Sequence, residues 1–123
     1  MATTTVVDKD GNSIAYDDAT VPSDRHFRDA WSLSGSTITE DVAASKIIFK
    51  DQIRAVRTAL LDAEDVIYMR ALEVADSDAQ AASIAVKKAL RDAPADSAIA
   101  SASTIINLKA AWDTDVLGES PYT

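Results

Sequence analysis

Residues 39–75, TEDVAASKIIFKDQIRAVRTALLDAEDVIYMRALEVA, decide the fold of this chain. Apolar residues fall at Val42, Phe49, Ile53, Val56, Leu60, Ala63, Ile67 and Val74. Gaps that alternate between three and four are the seam of a long amphipathic helix, which has to bury that face against another helix. On this spacing Leu60 and Ile67 are expected in the core. Thr39 is placed to cap the helix, and Glu40 and Asp41 suit the positive end of its dipole.

Beyond that run, Ala75, Asp76 and Ser77 interrupt the pattern. Ser77 with Gln80 three residues on has the form of a capping box, and it opens a second helix through Ala82, Ala85, Val86, Ala89 and Leu90 that Pro94 ends. Two helices with a short polar joint predict an antiparallel hairpin. A third, short helix is predicted to start at Ser103 or Thr104 and to carry Ile105, Leu108 and Trp112 on one face.

Upstream, composition changes. Gly11 and Gly35 lie before residue 39, as does the β-branched cluster at 3–7, whereas Ala dominates afterwards. Val6 and Val7, the turn Asp8-Lys9-Asp10-Gly11-Asn12, then Ile14 and Tyr16 predict a hairpin in which Gly11 takes a positive φ. Trp31 and Leu33, then Ser34-Gly35-Ser36 and Ile38, predict a second one. The fold class expected is therefore mainly α: a long antiparallel helical hairpin plus a short C-terminal helix, with a small β-hairpin N-terminal arm. Its divisions are an extended arm at 1–39, a helical body at 40–117 and a flexible tail at 118–123. The arm, with few apolar anchors, is expected to order on a partner.

The chain has 123 residues, 47% of them apolar, about one domain's worth. Twenty acidic residues against 12 basic ones leave a net charge of −8, which disfavours a grip on nucleic acid or anionic lipid. No cysteine is present, removing disulfides and thiolate chemistry. No stretch approaches the ~20 apolar residues that span a bilayer, and no export signal is evident at the N-terminus. No nucleic-acid or membrane partner is expected.

Signals for chemistry are few. His26 sits among Asp24, Arg25, Arg28 and Asp29, so a base with a carboxylate orienter is conceivable, yet no serine spacing or glycine elbow accompanies it. The Asp8 to Asn12 turn lacks the distal Glu of a calcium loop, and Asp113 with Asp115 lacks a third ligand. No catalytic, cofactor-binding or metal residue is assigned, and no cofactor is expected. The long helix has a second apolar stripe, Ile47, Ile48, Leu61, Tyr68 and Leu72, too broad for the Ala-rich second helix to cover. Either a neighbouring chain covers it or the N-terminal hairpins fold back upon it. Lys46, Lys50, Arg54 and Arg57 precede Asp62, Glu64, Asp65, Glu73 and Asp76 along the helix, so antiparallel partners would attract. The interface residues expected are Ile48, Leu61, Tyr68, Leu72, Arg25, His26, Phe27 and Trp31.

Residues 21–31 (VPSDRHFRDAW), 51–57 (DQIRAVR), 68–73 (YMRALE), 88–94 (KALRDAP) and 108–112 (LKAAW) resemble, in that order, small proteins encoded in the tail modules of tailed bacteriophages. Such proteins are described as tail-assembly-chaperone-like or as virion structural proteins of the tail or fibre. The resemblance spans residues 21–117. It implies a non-enzymatic part in building or forming a phage tail, in the host cytoplasm during assembly and then in the virion. Its implied partners are other copies of itself, a trimer by analogy with threefold fibres, and other tail or fibre proteins. The alternative it implies is a tail or fibre assembly chaperone absent from the mature particle. Chaperone-like relatives share mainly the Leu90-Arg91-Asp92 region and the terminal Trp, so the N-terminal hairpins are an addition here.

Overall fold

The computed structural model describes residues 5–16 and 19–122. The start of the β-branched cluster, at residues 3 and 4, and the last residue of the expected tail lie outside the described residues. The chain is mainly helical, with two small antiparallel hairpins, a long helix and a helical hairpin.

Strands β1 (Thr5–Val7) and β2 (Ser13–Ala15) pair antiparallel with Val6 opposite Ile14. Asp8 forms the turn between them. Its Oδ1 accepts from the backbone N–H of Asp10 at 2.9 Å and of Asn12 at 2.8 Å, while Gly11 supplies a φ of 86° that a Cβ would strain. A 3-10 turn at Arg28–Ala30 leads into β3 (Trp31–Ser34), which pairs with β4 (Thr37–Glu40), and Gly35 takes φ 64° between the two.

The two hairpins are joined within the chain. Lys9 donates its N–H to the Trp31 carbonyl at 2.9 Å, Leu33 donates to Asp8 Oδ2 at 2.8 Å, and Arg28 Nη1 donates to the Val7 carbonyl at 2.8 Å. Val6, Trp31 and Ile38 are buried together. The arm therefore has its anchors in its own chain, through a carboxylate that bonds across both hairpins.

Helix α1 (Val42–Glu73) has 32 residues and, at about 1.5 Å per residue, runs roughly 48 Å. Its cap is Asp41, which accepts from the Ala44 N–H at 3.1 Å. Thr39, expected in that role, is instead committed to the β-ladder opposite Ser32. A tight turn with Ala75 at φ 53°, a left-handed value uncommon for a residue with a Cβ, reverses the chain into α2 (Ser77–Asp92). Asp76 rather than Ser77 caps α2, accepting from Ala79 N–H at 3.0 Å, and Gln80 reaches the Ala71 carbonyl instead of closing a capping box. A 3-10 turn at Ala93–Ala95 holds Pro94, which ends α2 as expected.

Three short helices follow: α3 (Ser97–Ser101), α4 (Ile105–Ala110) and α5 (Thr114–Leu117). Of the two starts expected, Ser103 or Thr104, it is Thr104 that caps α4, accepting from Asn107 N–H at 3.1 Å. The other two were not anticipated. Their caps are Asp96 and Asp113, each bonding the N–H groups of the first turn. Asp113 is thus a helix cap, and its oxygen is directed at backbone donors.

The main core gathers Phe27, Ala30, Phe49, Ile53, Leu90, Ile99, Leu108, Trp112 and Leu117. Residues 118–122, expected to fray, close it. Tyr122 stacks on Phe27 at 5.1 Å and on Phe49 at 5.3 Å and meets the Trp112 edge at 5.9 Å, while Trp112 Nε1 donates to the Gly118 carbonyl at 3.1 Å.

Only part of the expected seam is core. Phe49 and Ile53 are enclosed, but Leu60 is 36% exposed, Ile67 50% and Val74 74%. The α2 helix packs instead on the adjacent line of α1: Ser83 Oγ donates to the Glu64 carbonyl at 3.3 Å, and Lys87 lies over the Tyr68 ring at 4.9 Å. Replacing Phe49 with Ala is expected to cost about 3–5 kcal/mol through lost burial and the cavity left behind, whereas Leu60→Ala is expected to stay within about 1 kcal/mol because its side chain is already partly hydrated. Urea unfolding of the two variants checks the contrast, and equal losses would show that the seam is covered at Leu60.

The acid limb of stability is expected to depend on Asp8. Its carboxyl is lowered from 3.8 to about 2, chiefly by the Leu33 N–H and against some desolvation. A depressed carboxyl adds stability that is whole above its unfolded value and is lost as pH falls through its folded one. Asp8→Asn should therefore flatten the loss of stability between pH 4 and 2, as followed by circular dichroism.

Candidate docking surface

Residues spaced alternately by four and three along a helix share one face, and the line one residue further on lies about 100° round the axis. In α1 the first line is Phe49, Ile53, Val56, Leu60, Ala63, Ile67, Arg70 and Val74, and the second is Arg57, Leu61, Glu64, Tyr68 and Ala71. Base-proximal elements cover the first line at Phe49 and Ile53; α2 covers the second line throughout. Past Val56, the first line emerges from under α5 and runs uncovered to the hairpin tip.

The outer half of the α1–α2 hairpin is accordingly apolar in water. Val66, Met69 and Leu72 on α1 and Ile84 and Val86 on α2 are exposed alongside Leu60, Ile67 and Val74. They are not one patch: Leu60, Ile67 and Val74 share a line of α1, whereas Val66, Met69 and Leu72 lie round the other side of the helix. Sequence spacing located the stripe but assigned it to the core. It missed Val66, Met69 and Ile84 and placed Val86 on the apolar run of α2, where it is exposed; the signal available for Ile84 was a β-branched residue amid the alanines of α2.

The eight residues expected at an interface do not form one surface. Phe27 and Trp31 are enclosed by their own chain, because the 3-10 turn between them packs on α1 and the first hairpin covers the Trp31 ring. Ile48 and Leu61 are half-buried against the main core, and Tyr68 lies half-buried beneath Lys87, which also pairs with Asp65 at 2.5 Å. Leu72 is exposed near the tip, and Arg25 is exposed near the base.

His26 is half-buried in a polar cluster that ties the arm to α4. Asp24 accepts from Lys109 Nζ at 2.6 Å and lies 3.5 Å from His26 Nδ1, while the His26 ring meets Tyr122 edge-on at 5.3 Å. The Lys109 ammonium holds the Asp24 carboxyl below its usual range. Glu40 is pushed the other way, by burial and by the Asp24 charge, and its Oε2 finds no hydrogen-bond partner among the described residues. An ion pair joining positions 85 apart in sequence is a latch between arm and body.

The cationic row of α1 is largely engaged with the chain itself. Lys46 Nζ donates to the Ala100 carbonyl at 2.9 Å and Arg57 Nη1 to the Arg91 carbonyl at 2.9 Å, so two of the row satisfy carbonyls at the ends of α3 and α2. Arg54 pairs with Asp51 at 3.0 Å. Lys50, Arg54, Arg57 and Arg91 also line a shallow cavity of about 330 Å³. A second cavity, about 430 Å³, opens between α1 and α2 where Ile53 and Ala89 face Val116 and Leu117 of α5. Among the described residues no group of three His, Asp or Glu is placed to hold a metal, and no helix is long and apolar enough to cross a membrane.

A raised carboxyl stabilises the fold fully below its unfolded value and loses that contribution as pH rises through its folded one. Glu40→Gln is therefore expected to match the wild type in stability below about pH 4.5 and to exceed it above, the gap opening as wild-type Glu40 ionises. Urea midpoints across pH 4 to 8 check this, and a variant less stable at neutral pH would mean that the ionised carboxylate is needed by the latch.

Comparison of the chain with protein-family models, with curated proteins and with solved structures gave no match in any of the three.

Proposed function

We propose that this chain is a non-enzymatic assembly protein, a structural component of a bacteriophage tail or tail fibre that holds its place through the outer half of its α1–α2 hairpin. The observation that carries the assembly part is the continuation of one apolar stripe from the core, at Phe49 and Ile53, into water at Leu60, Ile67 and Val74. Such exposure costs solubility unless a neighbour covers it. The tail context rests on the ordered resemblance of residues 21–31, 51–57, 68–73, 88–94 and 108–112 to phage tail-module proteins.

In this reading the base is a mounting and the hairpin is the working part. The aromatic core and the latch around Asp24 fix where the hairpin points, and partners are copies of the chain and other tail or fibre proteins. The protein would be made in the host cytoplasm and end in the virion. A chaperone that shields tail or fibre chains and then departs is the second reading, favoured by the same apolar hairpin.

Replacing Leu60 and Ile67 together with Glu is expected to leave the helical circular dichroism and melting of the chain within the wild-type range, since both side chains are partly exposed. Recovery of that variant in purified particles, quantified by mass spectrometry, is expected to fall at least tenfold. The wild type at fixed copy number in particles supports the structural role; presence in assembling lysate with absence from mature particles supports the chaperone; absence from both overturns the proposal.

A further inference from the structure

We infer that a small pocket in the arm binds one small oxyanion group, a phosphate or a carboxylate, through Arg25, Arg28, Tyr16 and the Trp31 indole N–H. The site involves no residue of the α1–α2 hairpin, so it stands independently of the assembly reading.

Strand β1, Tyr16 just past β2, the segment that carries Arg25 and Arg28, and the first residue of β3 surround a cavity of about 100 Å³. Pockets that take a whole small molecule run to ~300–1,000 Å³, so this one suits a single polyatomic group. Arg25 and Arg28 both line it, and among the described residues no carboxylate does. Two guanidiniums beside one cavity repel each other unless an anion comes between them. The carboxylate next to Arg25 in sequence is committed elsewhere, since Asp24 accepts from Lys109 Nζ at 2.6 Å. The Arg25 guanidinium itself has no hydrogen bond or ion pair among the described residues.

Arg28 is held in place by its own chain. Its Nη1 donates to the Val7 carbonyl at 2.8 Å and its guanidinium lies 4.8 Å over the Trp31 ring, which fixes the plane of the fork and leaves its remaining N–H groups for a ligand. Trp31 supplies an independent observation. It lines the same cavity, it is 2% exposed, and its Nε1–H has no acceptor among the described residues. A donor that has lost water without gaining a partner costs stability, and an indole N–H can only donate, so only an acceptor answers it. The other tryptophan is satisfied: Trp112 Nε1 donates to the Gly118 carbonyl at 3.1 Å. Two guanidiniums and an indole N–H, with the Tyr16 hydroxyl able to donate as well, have one ligand chemistry in common, a charged group with several acceptor oxygens.

With only two tryptophans, the full chain carries its own reporter and its own control. In proton–nitrogen correlation spectra at constant ionic strength, the Trp31 indole signal is expected to shift and saturate as inorganic phosphate or acetate replaces chloride, half-complete at about 1 mM or below for the preferred anion. The Trp112 indole signal, bonded within the chain, is expected to stay in place. Saturation by phosphate alone supports a phosphoryl group as the ligand, and saturation by acetate supports a carboxylate. Arg25→Gln, a change at an exposed side chain, should weaken the binding by about tenfold or more, with the Trp112 signal and the circular dichroism unchanged. A Trp31 signal that follows neither anion, or that responds equally well in Arg25→Gln, would overturn the inference.

Discussion

Phe49 is the point on which the rest of the structure hangs. It is enclosed on α1 by Trp112 from just past α4, Tyr122 from the C-terminal segment and the core that includes Phe27 from the arm. Three regions far apart in sequence meet there. Without that cluster the short helices α3, α4 and α5, of four to six residues, have no independent stability, since isolated helices below ~12–15 residues are marginal in water.

A second constraint is length. A helix of 32 residues is longer than a core assembled from the remaining chain can cover, and the aromatic cluster sits toward its N-terminal half. The α2 helix supports the outer half on one line only, using small residues, Ser83 and Ala71, to come close and few large apolar ones. The uncovered line is thus a consequence of arithmetic as much as of composition.

Much of the fold was legible because it depends on local signals. The α1 run, the reversal near Ala75, the stop at Pro94, the Thr104 cap and both glycine turns follow from periodicity and turn chemistry. What was not legible depends on distance. Spacing shows that Leu60 and Ile67 share a face with Phe49, but the number of turns that face stays covered is set by where Tyr122 and α5 fold back, which no local pattern records. Capping failed in the same way: Thr39 and Ser77 were good caps in isolation, and Asp41 and Asp76, two residues on and one residue before, hold the positions the ladder and the turn leave free. Phe27 and Trp31 looked like contact residues because aromatic residues in a charged segment resemble a surface, and only the packing of the 3-10 turn on α1 reveals them as interior.

The division of α1 between an aromatic base and a thinly packed outer hairpin also bears on motion. Opening the turns around Ala75 breaks contacts between α1 and α2 alone and leaves Phe49, Trp112 and Tyr122 undisturbed. The hairpin tip is therefore expected to open without the base, and amides near residue 75 to exchange faster than those around residue 49.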